Sequence, residues 1–359
     1  MKRRLLDFLV CPWCQVPFRC EATKEDGAEI VEGQLTCETC SRTFPVVRSI
    51  PRILPSALLQ GNQATADAFG WEWQHFRRLH PQEVETNREQ FLDWIRPIEP
   101  HYFEGKVVLD AGCGMGRFSY LASLMGAKEV IAVDVSGAVE AARENCQDLS
   151  NVHIVQADIY HLPLRTRVAG KEGDIEFAFS IGVLHHLPDP EAGFHALVNH
   201  LRNSGSIFAW VYGYENNGWV VRFVNPVRKH VTSRLPRPVL MGLAWGITLF
   251  LQPVLKLLYG WLGSEKGIGW VRRLLPYREY LSWLAQYGFR HTHEVVFDHL
   301  VAPTAFYIRR EDFSRWFKDA SFQDAAITPR NANSWRGWGR NSSDDVSGHA
   351  SMVLPSEAD

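Results

Sequence analysis

Basic charge is not in surplus in this sequence. Lys and Arg number 38 against 40 Asp and Glu, for a net charge of -2, whereas a chain that tracks phosphates ordinarily carries a basic excess. This disfavours nucleic acid as the main partner and leaves room only for a local basic patch. An export signal is lacking as well. The basic head Lys2-Arg3-Arg4 leads into an apolar run, Leu5 to Val10, that is short, is broken by Asp7 and ends at Cys11, so it reads as the first strand or turn of a small domain. The seven cysteines are odd in number and include two C-x-x-C pairs, which fits a reducing, cytoplasmic compartment better than a disulfide framework. No internal repeat is present, which excludes a solenoid. What the chain does have is an apolar fraction of 46% over 359 residues, enough for a sizeable core and an appended domain.

The pattern divides the chain into a unit at 1–55, a mixed aromatic connector at 56–105, an alternating strand and helix region at 106–212, an apolar helical insert at 213–290, a strand–loop–helix–strand stretch beginning at 291 and reaching 340, and a polar tail at 341–359 expected to be disordered. Five apolar runs read as strands: 107–111, 130–133, 152–156, 175–181 and 206–212. Helical segments fall between them near 116–126, 137–147 and 190–202. This alternation predicts an α/β fold: a doubly wound, mostly parallel sheet with an N-terminal appendage and a helical insert after the fifth strand.

Within the first unit, Cys11-Pro12-Trp13-Cys14 and Cys37-Glu38-Thr39-Cys40 form two C-x-x-C pairs separated by 22 residues. Each such turn presents two thiolates from one knuckle, and two knuckles complete a tetrahedral soft-ligand site suited to structural Zn²⁺. A redox role or free thiols are the alternatives. Four thiolates leave no open position, so catalysis at this metal is not expected. With the closing Phe44-Pro45 and Ile50-Pro51-Arg52, the unit resembles the small zinc-ribbon proteins that activate tRNA, rRNA and protein methyltransferases. That resemblance implies a ribbon packing on a methyltransferase, here fused in cis.

The segment from Val107 to Gly116 follows an apolar strand and opens a helix, with glycine at 112, 114 and 116. A dinucleotide fingerprint would need glycine at position 117, which is Arg117. The arrangement Asp110-Ala111-Gly112-Cys113-Gly114 instead resembles motif I of class I S-adenosylmethionine-dependent methyltransferases, and three further segments fall in that family's order. Asp134, followed by Val135, ends the second strand, and a carboxylate there suits two ribose hydroxyls. Asp158, followed by Ile159, ends the third; the resemblance assigns it to the adenine amino group. Ser180 lies in the run Phe179 to Leu187 that ends the fourth. The resemblance implies S-adenosylmethionine as cofactor, bound where the parallel strands end.

Methyl transfer from a sulfonium mainly requires alignment and exclusion of water, with a base for some acceptors. His185, Tyr212 and Asp298 are the candidates for that side of the site, with His186 ranked below His185. The family's Asn-Pro-Pro-Tyr tetrapeptide is absent; Ser180-Ile181-Gly182-Val183 stands there. This turns the expectation toward O- or N-methylation of a small-molecule or lipid-like acceptor, with a macromolecule (tRNA, rRNA or protein) or a partner-activating scaffold as alternatives. Residues 238–255 are eighteen in a row without charge. They are expected to form a lid over the acceptor pocket, with a peripheral membrane contact through 238–262 and a membrane-spanning helix as the alternatives.

Overall fold

The computed structural model describes residues 1–56, 62–75, 78–80, 84–167, 173–262, 267–302 and 305–341; the tail expected to be disordered thus lies, from 342, outside them. The ribbon opens with β1 (Arg19–Asp26) and β2 (Glu29–Thr36), an antiparallel hairpin, followed by β3 (Thr43–Val47) and β4 (Ile50–Ile53). The connector supplies helices α1 (Asn62–His75) and α2 (Val84–Trp94). Then come β5 (Val107–Ala111), α3 (Arg117–Leu124), β6 (Glu129–Asp134), α4 (Val139–Asn145), β7 (Val152–Ala157), β8 (Ile175–Ile181), α5 (Pro190–Val198) and β9 (Leu201–Tyr212).

Every residue of β5 and of β7 is buried, as a parallel strand covered by helices on both faces requires. The strands lie in the order β1-β2-β3-β4-β7-β6-β5-β8-β9, and all pairs from β4 to β9 within the central region are parallel. The strand order reverses direction at β5, which has β6 on one side and β8 on the other; in open α/β sheets this is where ligands bind, beyond the carboxyl ends of the strands.

The ribbon is more than an appendage. Its last strand, β4, joins the central sheet by parallel pairing with β7, Arg52 opposite Gln156 and Ile53 opposite Ala157. Charged groups stitch the same border. Lys2 Nζ donates to the carbonyls of Leu149 and Val152 at 2.6 Å, Arg143 pairs with Glu29 at 2.5 Å, and Arg48 and Arg52 both reach Glu140. Leu5, Leu9, Leu35 and Phe44 share one apolar cluster with Leu109, Val133 and Val155.

After β9 the chain forms α6 (Asn225–His230), α7 (Arg237–Val254) continued as a π-helical turn to Leu262, α8 (Gly269–Leu274), α9 (Arg278–Leu284) and α10 (Phe289–Val301). The stretch from 291 was expected to begin with a strand. It is the body of α10 instead, and among the described residues the ladder contact before the next helix is the bridge of Gly213 with Ile308. Val295, Val296 and Val301 pack against α7 and its continuation, and that burial holds the segment as a helix. Helix α11 (Arg310–Asp319) and the hairpin of β10 (Asp324–Arg330) and β11 (Ser334–Arg340) complete the fold, with β11 antiparallel to β9.

Candidate active site

The two ribbon knuckles have the same local geometry. Gln15 N–H donates to Cys11 C=O and Ser41 N–H to Cys37 C=O, each at 2.8 Å, and Gln15 and Ser41 both adopt left-handed backbone (φ 53° and 58°). The turns aim Cys11, Cys14, Cys37 and Cys40 inward so that all four Sγ atoms lie within 4.8 Å of one another. Cys11 and Cys40 Sγ are 3.8 Å apart, about the edge of a tetrahedron whose centre is ~2.3 Å from each sulfur, the Zn–thiolate distance. The donor set therefore fits a structural zinc ion. Cys20 is outside the group.

At the carboxyl ends of the parallel strands, β5, β6, β7 and β8 deliver their loops to one cavity of about 1190 Å³. Gly112 (φ 84°) turns the chain directly after β5, and its N–H and that of Cys113 donate to Val133 C=O at the end of β6. A Cβ at Gly112 would come within 2.3 Å of Val183, so only glycine lets this loop pack beneath the loop after β8. Asp134 fixes the next turn: one carboxylate oxygen accepts from Gly114 N–H at 2.9 Å, the other from Ser136 N–H and hydroxyl at 2.8 and 2.7 Å. Asp158 caps the short turn after β7 by accepting from Tyr160 N–H.

Of the residues singled out for the cofactor, Gly112, Cys113, Gly114, Asp134, Val135, Asp158 and Ile159 line the cavity. Asp110, Ala111 and Ser180 sit behind it. Ser180 donates to Ala111 C=O at 3.0 Å, clamping β8 to β5, and Asp110 accepts from the Ser119 hydroxyl at 2.6 Å, anchoring α3. Burial pushes Asp110 up to about 7, the Ser119 hydrogen bond opposing and the charge of Asp134 adding to the shift. A carboxyl whose folded pKa lies above its unfolded value costs stability as pH rises between the two. The cofactor-free protein should therefore lose stability from near pH 4 to near pH 7 on this account. Asp110→Asn, which keeps an acceptor for Ser119, should gain on the parent by about 2–3 kcal/mol between about pH 5 and pH 8. Denaturant melts of the two proteins across that range test this; curves that stay parallel would refute it.

On the acceptor side, Tyr212 and Asp298 line the cavity but His185 does not. His185 is fully buried, with its ring 3.9 Å from that of Tyr212. Burial, then the nearby His186 and Arg228, hold it well below its ordinary pKa, and its Nδ1 accepts from Tyr212 N–H at 3.4 Å. It braces Tyr212 as a neutral ring. His186, ranked second from the sequence, is the one that reaches the cavity, packed edge-on against Phe69 of α1. The reversal follows from the short 3-10 turn Leu184–His186, which points adjacent side chains in different directions. Burial and the charge of Asp298 push Tyr212 well above its ordinary range, so it stays protonated.

Several groups on the wall carried no sequence signal. Glu72 on α1 is buried beside Asp298 and Glu294, and burial with those charges raises it well above the usual carboxylate range. Tyr280, Trp283 and Tyr287 add aromatic faces, and Arg78, Arg117, Arg290 and Arg330 bring positive charge to the same cavity. These side chains come from helices, connecting segments and the last hairpin, outside the strand–loop pattern, where no short motif marks them.

Comparison with known proteins bears on both halves. Residues 108–205 match the family model described as a methyltransferase domain, and residues 2–49 match that of Trm112p-like proteins. The expected Rossmann-like methyltransferase fold with an N-terminal four-cysteine cluster is thus present. An uncharacterized protein of Synechococcus is 37% identical over 110 residues, 29% of this chain and 25% of that one. A protein named tRNA U34 carboxymethyltransferase from Ruthia magnifica is 30% identical over 122 residues, 32% of this chain and 36% of the relative. Its namesake from Shewanella pealeana is 30% identical over 132 residues, 36% and 38%. The chain spans about a quarter to two fifths of the length of these relatives. Among solved structures, a magnesium protoporphyrin IX methyltransferase from Synechocystis aligns with a TM-score of 0.42 at 14% identity, covering 78% of this chain and 97% of that one.

The names of the curated relatives overturn two expectations. A small-molecule or lipid-like acceptor is not supported, nor is the reading of nucleic acid as an unlikely partner. Net charge is a whole-chain average and does not describe one site: four arginines line the cavity alongside five carboxylates, Glu72, Asp134, Asp158, Glu294 and Asp298.

Proposed function

We propose that this chain, a methyltransferase domain continuous with a Trm112p-like ribbon, transfers a methyl group from S-adenosylmethionine to a tRNA. The observation that carries this reading is the repeated match of the core to proteins named tRNA U34 carboxymethyltransferase. The cavity supports it: an unstacked base docks on aromatic faces and is held by arginine planes, and both line this wall. A thiolate cluster and a tRNA acceptor are both at home in a reducing cytoplasm.

When bound, S-adenosylmethionine supplies a methyl group on a positively charged sulfur, open to in-line attack. The backbone of Gly112–Gly114 would receive its amino-acid end, Asp134 its ribose hydroxyls and Asp158 its adenine edge, with Val135 and Ile159 flanking the base. Protonated Tyr212 donates a hydrogen bond to the acceptor, and Asp298 stands where it would take the proton released. The α7 side of the cavity, with Ile247 and Leu251, and the α9–α10 side exclude water from the reacting groups.

Incubation of the full chain with bulk tRNA and methyl-labelled S-adenosylmethionine, followed by nucleoside analysis, tests the proposal. Label should enter tRNA and should be lost with Asp298→Asn. Cofactor binding without label in tRNA would refute it, and label in rRNA or protein instead would redirect it.

A further inference from the structure

One helix of the insert carries two apolar stripes, and the fold uses only one of them. Along Arg237–Leu262, Leu240, Ala244, Thr248, Leu255 and Tyr259 are buried, held by Phe297 and Val301 of α10 and by Leu284 of α9. Away from that buried stripe and from the cavity, Leu243, Phe250, Val254, Leu257 and Trp261 recur at intervals of seven, four and three and are all exposed, Phe250 by 77% and Trp261 by 68%. A core helix of this composition would be mostly buried, whereas only 22% of its most apolar window is. Phe223, Trp270 and Leu274 of the same insert are exposed as well. Together this exceeds by far the scattered apolar residues normal on a protein surface.

The charges of the same segment point one way. Residues 216–278 hold ten Lys and Arg and a single acid, Glu265, within a chain whose net charge is -2. Arg222, Lys229, Arg234, Lys256 and Arg273 are exposed. Basic side chains around a Trp-, Phe- and Leu-rich helix face are what an anionic headgroup layer and the acyl boundary beneath it select. RNA would use the charges but gain little from aliphatic side chains. A spanning helix would offer lipid its whole circumference, but this one is clamped along one side to α9 and α10.

We propose that residues 216–278 seat the protein on an anionic lipid bilayer, with α7 and its continuation lying in the plane of the interface. This stands independently of the acceptor assigned above.

Flotation of the full-length protein with vesicles of phosphatidylcholine alone and of about seven parts phosphatidylcholine to three parts phosphatidylglycerol tests it. The protein should bind the anionic vesicles at least about tenfold more tightly. The double variant Phe250→Glu/Trp261→Glu should lose that binding while keeping the thermal shift given by S-adenosylmethionine, which shows that it folds. Failure of the parent to float, or unchanged flotation of the variant, would overturn the proposal. So would a variant that loses tRNA binding in filter assays but still floats, or a parent that is dimeric and turned monomeric by the substitutions. Tested separately, tRNA methylation by a parent that does not float would leave the proposed activity standing.

Discussion

Cys37→Ser, or zinc removal by a strong chelator, is expected to unfold the ribbon and to destabilise the methyltransferase domain with it. Four thiolates crowded within 4.8 Å of one another need a cation to neutralise and hold them, so the two knuckles depend on the metal. β1 has no buried residue, so the hairpin it forms with β2 adds little core of its own. In small ribbons the binding free energy of zinc is on the order of 10 kcal/mol, most of it folding free energy. Here the loss does not stop at the ribbon. β4 is hydrogen-bonded to β7, and Leu35, Phe44 and Val46 belong to the apolar cluster beneath the central sheet. Unfolding the ribbon strips that edge and exposes the strand that leads to Asp158. Metal analysis should find one zinc per chain, and melting should fall by more than about 10 °C in Cys37→Ser, as a loss of several kcal/mol implies. The same melting point with and without metal would show that the thiols are free.

Asp134→Ala should weaken cofactor binding strongly and loosen the glycine loop with it. The carboxylate accepts from Gly114 N–H and from Ser136, so it shapes the glycine loop as well as facing the cavity. Two charge-assisted hydrogen bonds to a ribose contribute about 3–4 kcal/mol between them, and their loss weakens binding by roughly two to three orders of magnitude. Asp134→Asn, which keeps one acceptor, should fall between the two. Isothermal titration with S-adenosylhomocysteine measures both. If the alanine variant bound as tightly as the parent, the ribose assignment would be wrong.

The parallel core was legible because its physics is local. Strands buried on both faces are written as continuous apolar runs, and a glycine-rich turn followed by acids at successive strand ends has few other uses. The two C-x-x-C pairs were equally plain, since a tetrahedral thiolate site demands that spacing. How far the ribbon merges with the core was not legible. The β4–β7 pairing joins residues about a hundred positions apart, and Ile50-Pro51-Arg52-Ile53 carries no mark of its partner. The acceptor wall was hidden for the same reason: Glu72, Tyr280 and Arg330 reach one cavity only after two separate helices and a hairpin pack together. His185 and His186 show the limit at single-residue scale, where a turn of three residues decided which ring looks inward. Charge was the most misleading guide, because it was summed over a chain in which cations and anions are unevenly spread.

The insertion of β4 beside β7 has a bearing on dosage. A ribbon made as a separate polypeptide must be supplied in step with every enzyme that needs it, and enzymes compete for it when it is scarce. A ribbon whose last strand is already threaded into its own enzyme arrives with each copy at unit ratio. This chain should then keep its activity in cells depleted of any free ribbon protein, and adding such a protein should leave its rate unchanged.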